Sequence, residues 1–533
     1  MAAISAYYDF LGNTCSFDGG SASIADDGIL LMIDRAVVPS EEIVSCYKQY
    51  GTDCARHLPG SSAFVLFDHK DSRLLVVRDK LGERPMYYAQ LPTGIQFASE
   101  LGTILPKITY PTIRPHELAQ PIRHNYPIEL QHTWIEQIMR LRAGEYAVVD
   151  KDGLRLYTYF KRDHTPTYKG TKAEAIQESL RLMRQSVKRC METSAGPVAV
   201  MLSGGIDSSS LAEFSKELQQ EVHVFSAGYI GNRYTACDER PIARRFAEEN
   251  GLVFHDVELD VNDFQCYLDE LLPFLDEPAF DVNCMVQFAV YKKAAEMGFK
   301  TILSGLGGDE QFYGYRDMQR LARAIKTNKG FVELYPAGQN KRKLIAFVLR
   351  NLKSRLLPTQ AVILSERNPS MWTYDDYQKF AVNGELSLHG ETIKFSDIDV
   401  TQHFSDDTDI NSLYDYMFST FANTLCVYMG NKLSAACGID IRYPLLDIDL
   451  VSFLDSLPLE MKFNSERPKQ FQKEILEGLL PDHVLNGKKR GFEPPFEFIW
   501  DMCAKYEYKH FKADHVFFNS MVADKMIDNM LYK

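Results

Sequence analysis

The sequence predicts an α/β protein: an N-terminal layered α+β domain, then a parallel-sheet α/β domain. Three observations predict it. Residues 1–162 hold short β-type runs at hairpin spacing. From Ala173 onward, helical patterns alternate with short apolar runs, the signature of a parallel sheet flanked by helices. Inside that alternation, the apolar run Val198 to Leu202 ends in Ser203-Gly204-Gly205-Ile206-Asp207-Ser208, and a helical pattern follows from Leu211 to Leu218.

In the first part, Ser62–Asp68 and Leu74–Arg78 read as paired strands. Gly94–Ser99 and Gly144–Val149 read as two more, and Glu41–Tyr50 has helical periodicity. The stretch around Pro166 reads as a linker, which divides the chain into 1–162, a connection 163–172 and a second domain 173–533. At 533 residues the chain is too long for one core. No apolar run is long enough to span a bilayer, and Met1-Ala2-Ala3-Ile4 opens no secretory signal. The ten cysteines are scattered without C-x-x-C pairs. That usage leads us to expect a reducing cytoplasm and no zinc site. A net charge of −13 argues against a nucleic-acid partner. The Lys/Arg-rich segment 316–355 reads as solvated helix faces, and the Asp-rich stretch 397–409 as an exposed loop.

The Ser203–Ser208 turn has the chemistry of a phosphate cradle. Glycines let the backbone approach an anion, and a helix N-terminus adds partial positive charge. Asp207 is a hard oxygen ligand suited to a phosphate-bound Mg²⁺. The turn lacks the Gly-Lys-Ser/Thr ending of a P-loop, and no G-x-G-x-x-G follows the strand. The plain alternative is an ordinary βα turn capped by Ser203.

The turn resembles the pyrophosphate loop of ATP pyrophosphatases, and the wider chain resembles the asparagine synthetase family. Val222–Gly228 is similar to that family's second strand and Asp276-Glu277-Pro278 to its DEP turn. Ser304-Gly305-Leu306-Gly307-Gly308-Asp309-Glu310-Gln311-Phe312 resembles its second signature. Gly438–Asp447 and Leu479–Phe492 resemble two later blocks. In the first domain, Arg78–Tyr88 and Phe97-Ala98-Ser99-Glu100 resemble two segments of the family's class II glutaminase domain, an Ntn-type fold. That family places a nucleophilic cysteine where this chain has Ala2, and Cys15 is not equivalent. The resemblance therefore implies a degenerate glutaminase domain.

It also implies ATP and Mg²⁺ as cofactors and an acyl-adenylate released with pyrophosphate. Asp207 and Asp309 are the implied metal ligands, and Lys489 is the implied late catalytic lysine, flanked by Lys488 and Arg490. Ser203, Gly204, Gly205, Asp207 and Ser208 would surround pyrophosphate. Leu202, Ala227, Ser304 and Gly305 would hold adenosine and the acyl end. Lys432 and Arg442 match family positions without an assigned role. Leu306 stands where family members carry an acidic residue or, in β-lactam-forming relatives, a tyrosine; a leucine takes up no proton. The reading that absorbs these departures is a lasso-peptide cyclase, which closes a macrolactam between an Asp or Glu side chain and the peptide's N-terminal amine. A leader peptidase and a leader-binding protein are its implied partners. The alternatives are a β-lactam synthetase-like enzyme, an ammonia-dependent asparagine synthetase and a nucleotide-binding scaffold without catalysis.

Overall fold

Period-two burial explains the first domain. The computed structural model describes residues 4–18, 22–25, 28–35, 39–124, 126–231, 238–278, 281, 283–315, 319, 385–388, 391–394, 409–487 and 515–531. Strands β1 (Ser5–Asp9), β2 (Thr14–Asp18), β3 (Ala22–Ala25), β4 (Ile29–Arg35), β5 (Ala63–Asp68), β6 (Arg73–Val77), β7 (Tyr87–Leu91), β8 (Gly94–Ala98), β9 (Met139–Arg140), β10 (Glu145–Asp150) and β11 (Gly153–Thr158) form two antiparallel sheets. Their orders are β2-β1-β8-β7-β9 and β11-β10-β6-β5-β4-β3. In β5, Val65 and Phe67 face the core between the sheets, while Phe64 and Leu66 face the helix Ser40–Tyr50 through its Ile43, Val44 and Tyr47. Successive strand residues point to opposite faces, so a strand apolar at every position needs a layer on each side.

The second domain is built on β12 (Val198–Met201), β13 (His223–Tyr229), β14 (Val253–Leu259), β15 (Thr301–Leu303) and, after the hairpin β16 (Glu385–Leu388) and β17 (Glu391–Lys394), β18 (Asp440–Arg442). The order β14-β13-β12-β15-β18 is parallel throughout. Alternation again divides the strands between two cores. Val198, Val200, Val224 and Leu303 pack on one side, and Ala199, Phe225 and Ile302 on the other. The chain leaves β12 toward β13 and β14, then returns to β15 on the opposite flank. The gap between β12 and β15 is thus the topological switch point, where open α/β sheets take their ligands at the carboxyl edge.

The core on the Phe225 side is shared between domains. Tyr87, Ala98, Leu101 and Trp134 join it from the first, and Leu271, Met285, Tyr428 and Ile527 from the second. The connection runs without regular structure from Tyr159 to Thr171. It lies along the helix Ile448–Ser456, where Thr167 and Tyr168 donate backbone N–H groups to Ser456 O at 3.0 and 3.1 Å. A capping box then starts the helix Lys172–Glu192. The Thr171 Oγ1 accepts from Glu174 N at 3.3 Å, and Thr171 N donates to the Glu174 carboxylate at 2.7 Å. Of the Asp-rich stretch, Asp409 caps the helix Ile410–Met417 through Ser412 N at 2.8 Å; the rest of it, and segment 316–355 apart from Gln319, lie outside the described residues.

Candidate active site

The loop after β12 is shaped by two glycines with separate duties. Gly204 has φ +74, and a Cβ there would lie 2.9 Å from Ala243 N and from Ile242 Cγ2. Only glycine makes this turn at low cost. Gly205 is the N-cap of the helix Ile206–Lys216, and no side chain caps that end. Ser203 therefore does not serve as the cap. Its Oγ accepts from Gly205 N at 3.3 Å and lies 3.1 Å from Ser208 Oγ. The Ser208 hydroxyl also accepts from Ser203 N at 3.1 Å, which closes the turn on itself. The helix N-terminus keeps its dipole and N–H groups for an anion.

The loop after β15 packs directly on this turn. Ser304 N donates to Arg442 O at 2.9 Å, and Leu306 N donates to Ser304 Oγ at 3.3 Å. A Cβ at Gly305 would lie 2.9 Å from Asp207 Cβ and 3.0 Å from Ser208 N. Gly308 lies so close to Asp207 that a Cβ would run into the carboxylate, and Gly314 abuts Asp309 in the same way. The glycines of the second signature thus admit the first. Asp309 sits inside the one-turn helix Gly308–Gln311 rather than capping it, since the N-cap is Gly307. Leu306 is half-buried against the apolar core.

The two carboxylates meet at Lys469. Its ammonium contacts Asp207 Oδ2 and lies 2.9 Å from Asp309 Oδ1. Burial alone would lower the lysine's pKa, but the paired carboxylates outweigh that and hold it above its usual range. Gln472 Nε2 donates to Asp207 Oδ1 at 2.9 Å. Lys469 takes a left-handed conformation, φ +57, which a non-glycine residue adopts at a cost unless neighbours enforce it. One ammonium against two carboxylates leaves net negative charge at the mouth of an uncapped helix. Two hard carboxylates fit Mg²⁺, which takes one or two of them and completes its shell from phosphates and water. Among the described residues no cluster of three His, Cys, Asp or Glu could hold a metal by itself. Next to Asp309, Glu310 is buried and receives the Tyr315 hydroxyl; burial, then the Asp309 charge, push its carboxyl up.

The sequence-derived residues divide by geometry. Ser203, Gly204, Gly205, Asp207, Ser208, Ser304, Gly305 and Asp309 stand together at the switch point. The Leu202 and Ala227 side chains are buried in the two cores on opposite faces of the sheet. Leu202 N is spent on Phe225 O at 2.8 Å. Lys489, with its flanking cations, lies outside the described residues. Lys469 and Gln472 were missed, for no local motif marks them. Lys432 is buried against Asp276 and 3.6 Å from Glu100, and Arg442 donates to Cys190 O and Thr193 O at 2.6 and 2.9 Å. Both act within the scaffold.

The motifs of the first domain grip the second. Arg78 is fully buried and donates to Arg84 O at 2.9 Å, Gly82 O at 3.0 Å and Asn423 Oδ1 at 3.3 Å. Burial lowers its guanidinium to about 10. Asn423 sits in a π-helix, Phe418–Val427. Arg84 reaches Asp440 at 3.1 Å, Arg140 reaches Glu277 at 2.6 Å, and Trp134 Nε1 donates to Asp276 O at 2.8 Å. Cys15 offers no ready nucleophile, because burial pushes its thiol up to about 12.

Comparison with known proteins agrees with this arrangement. The family model for asparagine synthase matches residues 178–531, and that for the glutamine amidotransferase domain matches 35–160. "Asparagine synthetase [glutamine-hydrolyzing] 1" of Bacillus subtilis is 25% identical over 86% of this chain and 71% of its own length. "Amidase chyE" of Penicillium rubens is 22% identical over 86% of this chain and 73% of its own. "Amidase chry2" of Gibberella zeae is 24% identical over the same 86% share and 73% of its own length. No helix among the described residues is long and apolar enough to cross a membrane.

Proposed function

The chain belongs to the asparagine synthase family and is an ATP-dependent carbon–nitrogen ligase, and on that premise we propose that it adenylates a peptide carboxylate and joins it to the peptide's own N-terminal amine. The observation that carries the adenylation is the pair Asp207 and Asp309, drawn to one ammonium at the switch point beside an uncapped helix N-terminus. A carboxylate has no leaving group worth displacing at neutral pH. Mg²⁺-bound ATP, as co-substrate, supplies one by way of pyrophosphate departure. Asp207 and Asp309 would hold the metal. Ser203, Ser208 and the backbone from Gly204 to Asp207 would hold the departing phosphates, and Lys469 would answer the charge that builds there. Leu202, Ala227, Ser304 and Gly305 would border adenosine and the acyl end, through backbone in the case of Leu202 and Ala227. Lys489 would stabilise the oxyanion when the amine attacks.

Leu306 supports the macrolactam reading. No proton acceptor stands at that position, so the amine arrives largely neutral or is deprotonated by another residue. A peptide α-amine, with a pKa near 8, comes closer to neutrality than a side-chain amine does. A substrate carrying both reacting groups also brings proximity to the ring closure. A leader peptidase and a leader-binding protein would prepare such a substrate. The test is direct: with ATP, Mg²⁺ and a linear core peptide encoded beside this gene, the product is one water lighter and AMP appears in equal amount. A second reading, asparagine formation, follows the names of the Bacillus subtilis relatives; it predicts aspartate-dependent AMP release with ammonia and no change in the peptide.

A further inference from the structure

We propose that Arg162, in the connection between the domains, is a positioning residue for the adenylation centre, acting on Asp309 through Gln311; the inference rests on the adenylation reading above. Its guanidinium reaches four elements. Nη2 donates to Gln311 Oε1 at 3.0 Å. Nε and Nη2 take the Asp455 carboxylate as a fork, at 2.9 and 2.6 Å. Nη1 pairs with Asp415 at 3.2 Å, and the plane lies 5.8 Å from the Phe418 ring centroid at the start of the π-helix. Arg162 thus joins the connection to the helices Ile448–Ser456 and Ile410–Met417, to the π-helix and to Gly308–Gln311.

That last helix is the one carrying Asp309. It has a single turn, too short to be rigid alone. Gln311 N closes it on Gly307 O at 2.9 Å, and the Gln311 side chain is its polar attachment to Arg162. Gln311 is only 3% exposed, so its amide cannot turn to water for a replacement partner. The grip needs a planar fork. An ammonium at this position holds one carboxylate as a point charge, but not Asp455 and Gln311 together in fixed directions. His164 separates positioning from stability. It bridges the same carboxylates, 2.9 Å from Asp415 and 3.1 Å from Asp455, and none of its contacts reaches Gln311. The connection leading out of the first domain is in this way anchored to the geometry of the carboxylate proposed to hold the metal.

The experiment measures calorimetric binding of α,β-methylene-ATP across Mg²⁺ concentrations, with melting temperature recorded alongside. Arg162→Lys and Gln311→Met are each expected to weaken Mg²⁺-dependent binding about tenfold, a smaller effect than the roughly hundredfold rate loss that a full 1 Å misplacement can bring. The double variant is expected to be no weaker than Arg162→Lys alone, since both changes cut one connection. His164→Gln is expected to melt lower yet bind as the wild type does. If Arg162→Lys melts lower but binds with unchanged Mg²⁺ dependence, or if the two losses add, Arg162 is structural only and the inference fails. Should Arg162→Lys not fold, unchanged binding by Gln311→Met overturns it equally. A wild type that does not bind the analogue at all contradicts the adenylation reading instead, and this inference falls with it.

Discussion

The Lys469 ammonium stands 2.9 Å from the Asp309 carboxylate while contacting Asp207, so one buried cation joins the two phosphate-site loops. Removing it leaves two like charges facing each other. Lys469→Met is expected to lose about 1–3 kcal/mol of stability, below the range for a fully enclosed pair because both carboxylates keep some water. Millimolar Mg²⁺ should recover part of that loss and should raise the melting temperature of the variant more than that of the wild type. Thermal melts with and without Mg²⁺ check this, and equal shifts in the two proteins would count against it.

Asp207→Asn and Asp309→Asn keep side-chain size and lose the charge. Each is expected to fold and to lower ATP–pyrophosphate exchange at least a hundredfold, in line with removing electrostatic stabilisation of the transition state. Exchange measured with the same linear peptide decides it. A near-normal rate in either variant would dismiss that residue as a ligand.

Gly308 tests the packing of the two signatures. A methyl group there meets the Asp207 carboxylate, and nothing in the backbone angle itself forbids it. Gly308→Ala is expected to cost about 1–3 kcal/mol by overpacking and to remove exchange. Gly298 is the control: its φ is +88 and nothing lies within 4 Å of an added Cβ. Gly298→Ala should cost about 1–2 kcal/mol of backbone strain and leave exchange intact.

The connection between the domains carries a pH signature. Burial disfavours the His164 cation, but hydrogen bonds to Asp415 and Asp455 prevail and raise its pKa to about 9. A folded-state pKa above the unfolded value near 6.5 means this contribution is complete below that value. It fades as pH rises through about 9. Lys462, lowered to about 8 mainly by burial, works the other way, since its penalty is relieved as it loses its proton. Between pH 7 and 10 the two contributions oppose each other, so the prediction lies in the comparison: His164→Gln should remove the falling part and leave a melting temperature that rises with pH relative to the wild type. An unchanged slope in the variant would remove His164 from the explanation.

Local chemistry was legible in the sequence, and long-range chemistry was not. Val198–Ser208 announces strand, turn and helix because each signal lies within a few residues of the next. Lys469 announces nothing. Its partner Asp207 is 262 positions away, and its left-handed backbone is imposed by the fold. Arg162 read only as part of the approach to a linker, because its meaning depends on Gln311, 149 positions on. The segments Arg78–Tyr88 and Phe97–Glu100, read as glutaminase features, hold the second domain through Arg78, Arg84 and Glu100. No sequence pattern distinguishes a buried interdomain arginine from a surface one.

The measurement closest to the central claim is the nucleotide product formed when the purified protein meets ATP, Mg²⁺ and the linear core peptide. The account predicts AMP and pyrophosphate in equal amounts, with a peptide one water lighter and both absent in Asp309→Asn. Formation of ADP and phosphate, or loss of water from the peptide without AMP, would contradict it.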